Sequence, residues 1–145
     1  MSIEGISKTT DLSFLKNLTQ LKSLNLAFLY PLSDLKFLEN LINLEFLTLD
    51  FIYGVYNLNF LKKLQQLKSL NLRNMPKIDN LNLLKYLPYF DRLSLHDVNI
   101  NDIDLIDNLK QVKLISTSTL DSNLDYKTLS QMPNLENLDV RNTPF

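Results

Sequence analysis

The chain has 145 residues, with 15 basic against 16 acidic side chains and no cysteine. That balance excludes a general nucleic-acid binder, which needs a basic stripe to displace counterions, and a polybasic membrane-surface anchor. Disulfide frameworks and cysteine-based zinc sites are excluded by composition, and no run of apolar residues approaches the length that spans a bilayer.

From the amino end, MSIEGISKTTDLSF has no basic segment followed by a long apolar run, so it does not read as a signal peptide. With the absence of cysteine, this sets the expectation of a cytoplasmic protein. Ile3 and Ile6 match the later inward positions Leu26 and Leu29, so the chain opens partway through a repeating unit. MSIEGISK is then a makeshift cap on the first coil.

The motif is first complete in LTQLKSLNL (18–26). It returns as LINLEFLTL (41–49), LQQLKSLNL (64–72), LPYFDRLSL (87–95), LKQVKLIST (109–117) and MPNLENLDV (132–140). Each reads apolar-x-x-apolar-x-x-apolar-x-apolar. The third apolar residue falls at Leu24, Leu47, Leu70, Leu93, Ile115 and Leu138, in steps of 23, 23, 23, 22 and 23. Self-similarity at such a period marks a solenoid, whose units bury their apolar faces by stacking on one another. The expectation is one domain over 1–145. It comprises a partial unit at 1–14 and coils near 15–37, 38–60, 61–83, 84–105, 106–128 and 129–145.

Within each unit the residues around the third apolar position alternate, as in Ser23 out, Leu24 in, Asn25 out, Leu26 in, Ala27 out. Period-two alternation predicts a short strand with one buried face. Strands follow near 23–27, 46–50, 69–73, 92–96, 114–118 and 137–141, all parallel in one sheet. Between them the spacing changes to three, as in Leu35, Leu38, Leu41 and Leu44, which suits a 3₁₀ or short α-helical turn. One residue ahead of each such stretch stand Asp11, Asp34, Asn57, Asn80, Asp102 and Asp125, read as helix N-caps. With two glycines in the chain, Asn and Asp must supply many of the turns. The fifth unit is the thinnest: Thr117 takes a leucine slot, and Leu114 stands where an outward polar residue is usual.

The order of apolar positions resembles the leucine-rich repeat family over essentially the whole chain. The 22–23-residue spacing and the Asx before each convex turn look most like internalin-like and SDS-type repeats. The resemblance implies an α/β solenoid, a horseshoe with a parallel concave sheet of about six short strands and short 3₁₀/α segments on the convex side. It also implies that ligands meet the concave face.

The outward residues on that face fall into three rows. The first is Ser23, Phe46, Ser69, Arg92, Leu114 and Asn137. The second, small and polar, is Asn25, Thr48, Asn71, Ser94, Ser116 and Asp139. The third is Ala27, Asp50, Arg73, His96, Ser118 and Arg141. Asp50, Arg73 and His96 make either a solvated cross-strand ion pair or a charged recognition patch with Arg92 beside it. Phe46 is an outward aromatic of the kind that anchors interfaces. Phe51, Tyr53 and Tyr56 follow the second strand and either pack the turn or extend that patch.

Catalytic constellations are missing. His96 is the single histidine, and no glycine-rich phosphate loop exists. Ser94 or Ser69 beside His96 lacks anything to orient the imidazole. The run from Asp97 to Asn108 resembles a calcium loop but has Asp102 where a glycine is needed and Asn108 where a glutamate is needed.

The reading is therefore a non-catalytic module with no cofactor and no metal. It binds a protein partner, and neither nucleic acid nor membrane, through Phe46, Thr48, Asp50, Asn71, Arg73, Arg92, Ser94 and His96. The alternative is an assembly element that forms homo-oligomers through its end strands.

Overall fold

The computed structural model describes residues 1–5, 11–30, 32–75, 78, 81–98, 109–118 and 129–141. Among these, seven strands form one parallel sheet in chain order: β1 (Ser2–Glu4), β2 (Ser23–Ala27), β3 (Phe46–Asp50), β4 (Ser69–Arg73), β5 (Arg92–His96), β6 (Leu114–Thr117) and β7 (Asn137–Val140). The six expected strands are present, the last two a residue shorter than the sequence implied, and β1 is additional. Ile3 of β1 pairs with Leu26, the slot its spacing matches. Ile6 lies outside the described residues.

The register stacks Leu24, Leu47, Leu70, Leu93, Ile115 and Leu138 in one ladder. From Leu24 to Ile115 these side chains are buried, whereas Leu138, the last rung, is 42% exposed. A second ladder runs Leu26, Leu49, Leu72, Leu95 and Thr117, with Thr117 buried in the leucine slot. Burial of each leucine contributes roughly 1.5–3 kcal/mol relative to exposure, so the ladders are the main source of cohesion between coils.

Opposite the sheet lie 3₁₀ helices Ser13–Asn17, Lys36–Asn40, Asn59–Lys63 and Leu81–Tyr86. Leu15, Leu38, Leu61 and Leu84 point inward from them and are fully buried. The Asx residues act one position earlier than expected. The helix N-caps are Leu12, Leu35 and Leu58, none of which makes a side-chain cap bond. Instead Asp11, Asp34 and Asn57 each accept the amide two residues ahead, from Ser13 (2.7 Å), Lys36 (2.6 Å) and Asn59 (2.7 Å). This is the Asx turn, in which a short side-chain oxygen replaces a backbone carbonyl. Asn80, Asp102 and Asp125 lie outside the described residues.

A further row follows the strands. Gly5, Phe28, Phe51, Asn74 and Asp97 recur every 23 residues and all have positive φ, between 49° and 69°. The conformation aims each amide at the next coil. Gly5, Phe28, Phe51 and Asn74 donate to the carbonyls of Ala27 (3.2 Å), Asp50 (3.0 Å), Arg73 (3.2 Å) and His96 (2.8 Å). Gly, Asn and Asp tolerate that region, but phenylalanine in it is strained by roughly 1–2 kcal/mol.

Just before the strands runs a row of alternating sign: Lys22, Glu45, Lys68, Asp91, Lys113 and Glu136. Each backbone carbonyl from Lys22 to Lys113 accepts two successive amides of the next coil, for example Lys22 from Glu45 (2.8 Å) and Phe46 (3.0 Å). Side chains add to this seam. Glu45 bridges Lys22 at 2.9 Å and Lys68 at 2.7 Å, and Lys113 meets Glu136 at 3.0 Å. Asp91 leans instead toward its own neighbour Arg92, at 3.7 Å.

Candidate functional site

Strand alternation sends one set of residues to the leucine core and leaves the other on an open face. The register assembles that face as expected in two rows. Ser23, Phe46, Ser69, Arg92, Leu114 and Asn137 are successive partners in the first, and Asn25, Thr48, Asn71, Ser94, Ser116 and Asp139 in the second. The third places Glu4, Ala27, Asp50, Arg73 and His96 side by side. Two members of that third row differ from expectation. Ala27 is 4% exposed, because a methyl group is too short to stand clear of its neighbours, and Ser118 is buried. The Ser118 hydroxyl accepts the amide of Asp97 at 2.8 Å, the bond that the next coil's backbone supplies elsewhere.

All eight candidate residues stand on this face. Phe46 is 39% exposed between two serines. Arg73 and Arg92 are exposed, while Thr48, Asp50, Asn71, Ser94 and His96 are half-buried. The expected ion pair between Asp50 and Arg73 is not formed. The Arg73 Nε donates to Asn71 Oδ1 at 3.1 Å, and Asp50 Oδ1 accepts from Asn74 Nδ2 at 2.9 Å. Each group finds a neutral partner, and the left-handed turn at Asn74 brings the amide within reach.

His96 does not pair with Ser94 or Ser69. Its Nε2 lies 3.3 Å from Ser116 Oγ on the next strand, and that hydroxyl lies 3.4 Å from Asp139 Oδ2. Arg141 completes the chain, donating to Asp139 Oδ2 from Nη2 at 2.8 Å. The carboxylate here is bonded to the hydroxyl and not to the imidazole, the reverse of the order that activates a serine. Burial of the ring, then the nearby Arg73 and Arg141 cations, hold the His96 pKa below its usual 6.5, against the opposite pull of Asp139 and Asp97. Among the described residues, no group of three or more His, Cys, Asp or Glu side chains is placed to hold a metal ion. Most of the calcium-like run lies outside them.

Two of the aromatic residues after β3 pack against those of the neighbouring turn after β2, while Tyr56 is 51% exposed. Phe51 stacks on Phe28 with ring centroids 4.7 Å apart, and Tyr53 stacks on Tyr30 at 5.4 Å. Phe51 and Tyr53 meet edge to face at 6.0 Å. Phe28, Tyr30 and Tyr53 remain 42%, 45% and 41% exposed. Desolvation, then the Tyr53 hydroxyl, push the Tyr30 phenol pKa upward. This block is separate from Phe46, which stands at the other end of β3, about 17 Å along the strand from Phe51. The signal for it in the sequence is Phe-x-Tyr repeated at 28–30 and 51–53, one period apart.

No protein-family model matches this chain, and no curated protein matches it significantly. Solved structures do. An internalin (InlF) from Listeria monocytogenes superposes with a TM-score of 0.67 at 25% identity over 90% of this chain. Internalin C2 of the same organism superposes with a TM-score of 0.68 at 26% identity over 92%. The chain spans 38% and 60% of the lengths of those two proteins.

Proposed function

The chain is built as an internalin-like leucine-rich repeat solenoid, and from that premise we propose that it is a non-catalytic module that holds a protein partner against the open face of its sheet. The observation that carries this reading is the face itself. It is continuous over the register from β2 to β7, floored by Thr48, Asn71 and Ser94, and bordered by Phe46, Arg92, Asp50, Arg73 and His96. The leucine ladders account for the buried side chains, so the outward residues are the ones left to carry specificity.

The floor offers hydroxyl and amide groups that donate and accept. Arg73, held by Asn71, and Arg92 supply exposed cations. Phe46 supplies an apolar anchor, and desolvated aromatic and arginine side chains carry the largest shares of interface energy. Rim charges on such a face act chiefly on association rate and partner choice.

The test is a double variant, Phe46→Ala with Arg73→Ala, in a protein whose thermal transition is unchanged. Affinity for a partner recovered by pull-down falls by about a hundredfold if two central anchors are lost. Unchanged affinity overturns the proposal. Sedimentation showing concentration-dependent oligomers that this double variant leaves intact favours assembly through the end strands instead.

A further inference from the structure

The ring block of Phe28, Tyr30, Phe51 and Tyr53 has no explanation in the core or in the open face. Phe28 and Phe51 occupy a position where this chain elsewhere uses glycine, asparagine and aspartate, and they hold φ of 54° and 51°. The positive φ serves the amide bond to the next coil in every repeat, and Asn74 holds it without a ring, so the turn itself does not call for phenylalanine. Rings kept where the turn does not need them, and left about two-fifths exposed at Phe28, Tyr30 and Tyr53, mark a surface open to contact with something else.

Two observations identify the occupant. The first is area. Three rings near two-fifths exposed and one less so leave roughly 300 Å² of apolar surface. A stable dimer needs about 800 Å² from each copy, so the block suits a short segment and not a second molecule of this chain. The second is charge. The stretches 24–34 and 47–57, which carry all four rings, contain two charged residues, Asp34 and Asp50, and no basic one. Along the strand edge Glu4 and Asp50 stand on either side of buried Ala27, which directly precedes Phe28. Gly5, one coil before Phe28 in the same row, carries no side chain to shield the outer face of that ring.

We infer that the block of Phe28, Tyr30, Phe51 and Tyr53 is a docking surface for an extended, arginine-bearing segment of a partner protein. Guanidinium groups stack on ring faces through cation–π attraction and pair with carboxylates at the edge. Glu4 and Asp50 supply those carboxylates. This surface adjoins the face of the sheet at Glu4 and Asp50, but its rings lie beyond the strand ends, and its test uses variants that leave the residues of that face unchanged.

The probe is a short peptide of alternating arginine and glycine, titrated at low salt into the whole chain. Matched peptides carry aspartate or proline in place of arginine. The variant is Phe28→Asn with Phe51→Asn, which places at both positions the residue that Asn74 already accommodates at the same φ. The expected result is binding of the arginine peptide, weakened about tenfold in the variant, while the thermal transition stays cooperative. Tyr30→Ala with Tyr53→Ala should weaken it similarly. Binding equal in the variants and the parent overturns the proposal, since it reports net charge alone. A preference for the proline peptide overturns it too. So does a concentration-dependent dimer that both double variants abolish.

Discussion

Gly54 lies directly beneath the carbonyl of Leu32: a Cβ on Gly54 would stand 2.3 Å from that oxygen and 3.1 Å from its carbon. The obstacle is backbone, so no side chain can move aside. Gly54→Ala should cost about 1–3 kcal/mol, the usual range for overpacking. The matching change at Gly5 has a different origin. Nothing lies within 4 Å of a Cβ there, but φ is 69°, so Gly5→Ala suffers backbone strain instead. Denaturant midpoints of the two variants measure the difference. A Gly54→Ala chain as stable as its parent would mean that the neighbouring turns do not meet this closely.

Glu45 predicts a pH dependence. Hydrogen bonds from Lys68 and then Lys22 bring its pKa down from 4.5 to about 2. Protonation therefore favours the unfolded chain. The contribution is whole above 4.5 and is lost as the pH falls to about 2. The melting-temperature gap between the parent and Glu45→Gln should be present at neutral pH and close across that window. Because Glu45 is a surface group, added salt should narrow the gap as well.

His96 predicts a titration in the same direction. Its depressed pKa means that the unfolded chain binds a proton more readily below 6.5, so stability falls as the pH drops beneath that value. In NMR the His96 ring should titrate with a midpoint under 6.5. Arg73→Gln removes a nearby cation and should raise that midpoint. A midpoint that stays fixed in Arg73→Gln rules out the proposed influence of Arg73.

Asp34 and Asn57 predict small, local losses. Each accepts one amide at the start of a 3₁₀ helix, and replacing either with alanine should cost about 1 kcal/mol. The ladder leucines contrast with this: Leu70→Ala, at a fully buried rung, should cost about 2–5 kcal/mol. Equilibrium unfolding of the three variants orders them.

The coil and its register were legible in the sequence because burial acts on every unit alike. A leucine that must face inward recurs wherever the chain passes the same point, and the period shows it. The Asx residues were visible for the same reason, although their bonding, set by the geometry of a 3₁₀ turn, is one residue out of step with a standard cap. The additional strand, β1, was visible only as the match of Ile3 to Leu26. What the sequence did not give up were relationships between neighbouring coils that are not apolar. Phe28 reads as an ordinary aromatic until its φ is known. Adjacency offered an Asp50–Arg73 ion pair as one of two readings, yet Asn71 and Asn74 intercept both groups. His96 bonds to Ser116, twenty residues on, since the partner is set by the next coil and not by the strand that carries the ring.

The row Lys22, Glu45, Lys68, Asp91, Lys113 and Glu136 makes neighbouring coils unlike in sign even though their leucines are interchangeable. Excising residues 38–60 would set Lys22 beside Lys68 and break the seam, whereas excising 38–83 would set Lys22 beside Asp91 and keep it. Judged by packing, the building block is one turn of the coil. Judged by charge, it is a pair of turns, and any shortened or lengthened form of this protein that keeps its seam must gain or lose them two at a time.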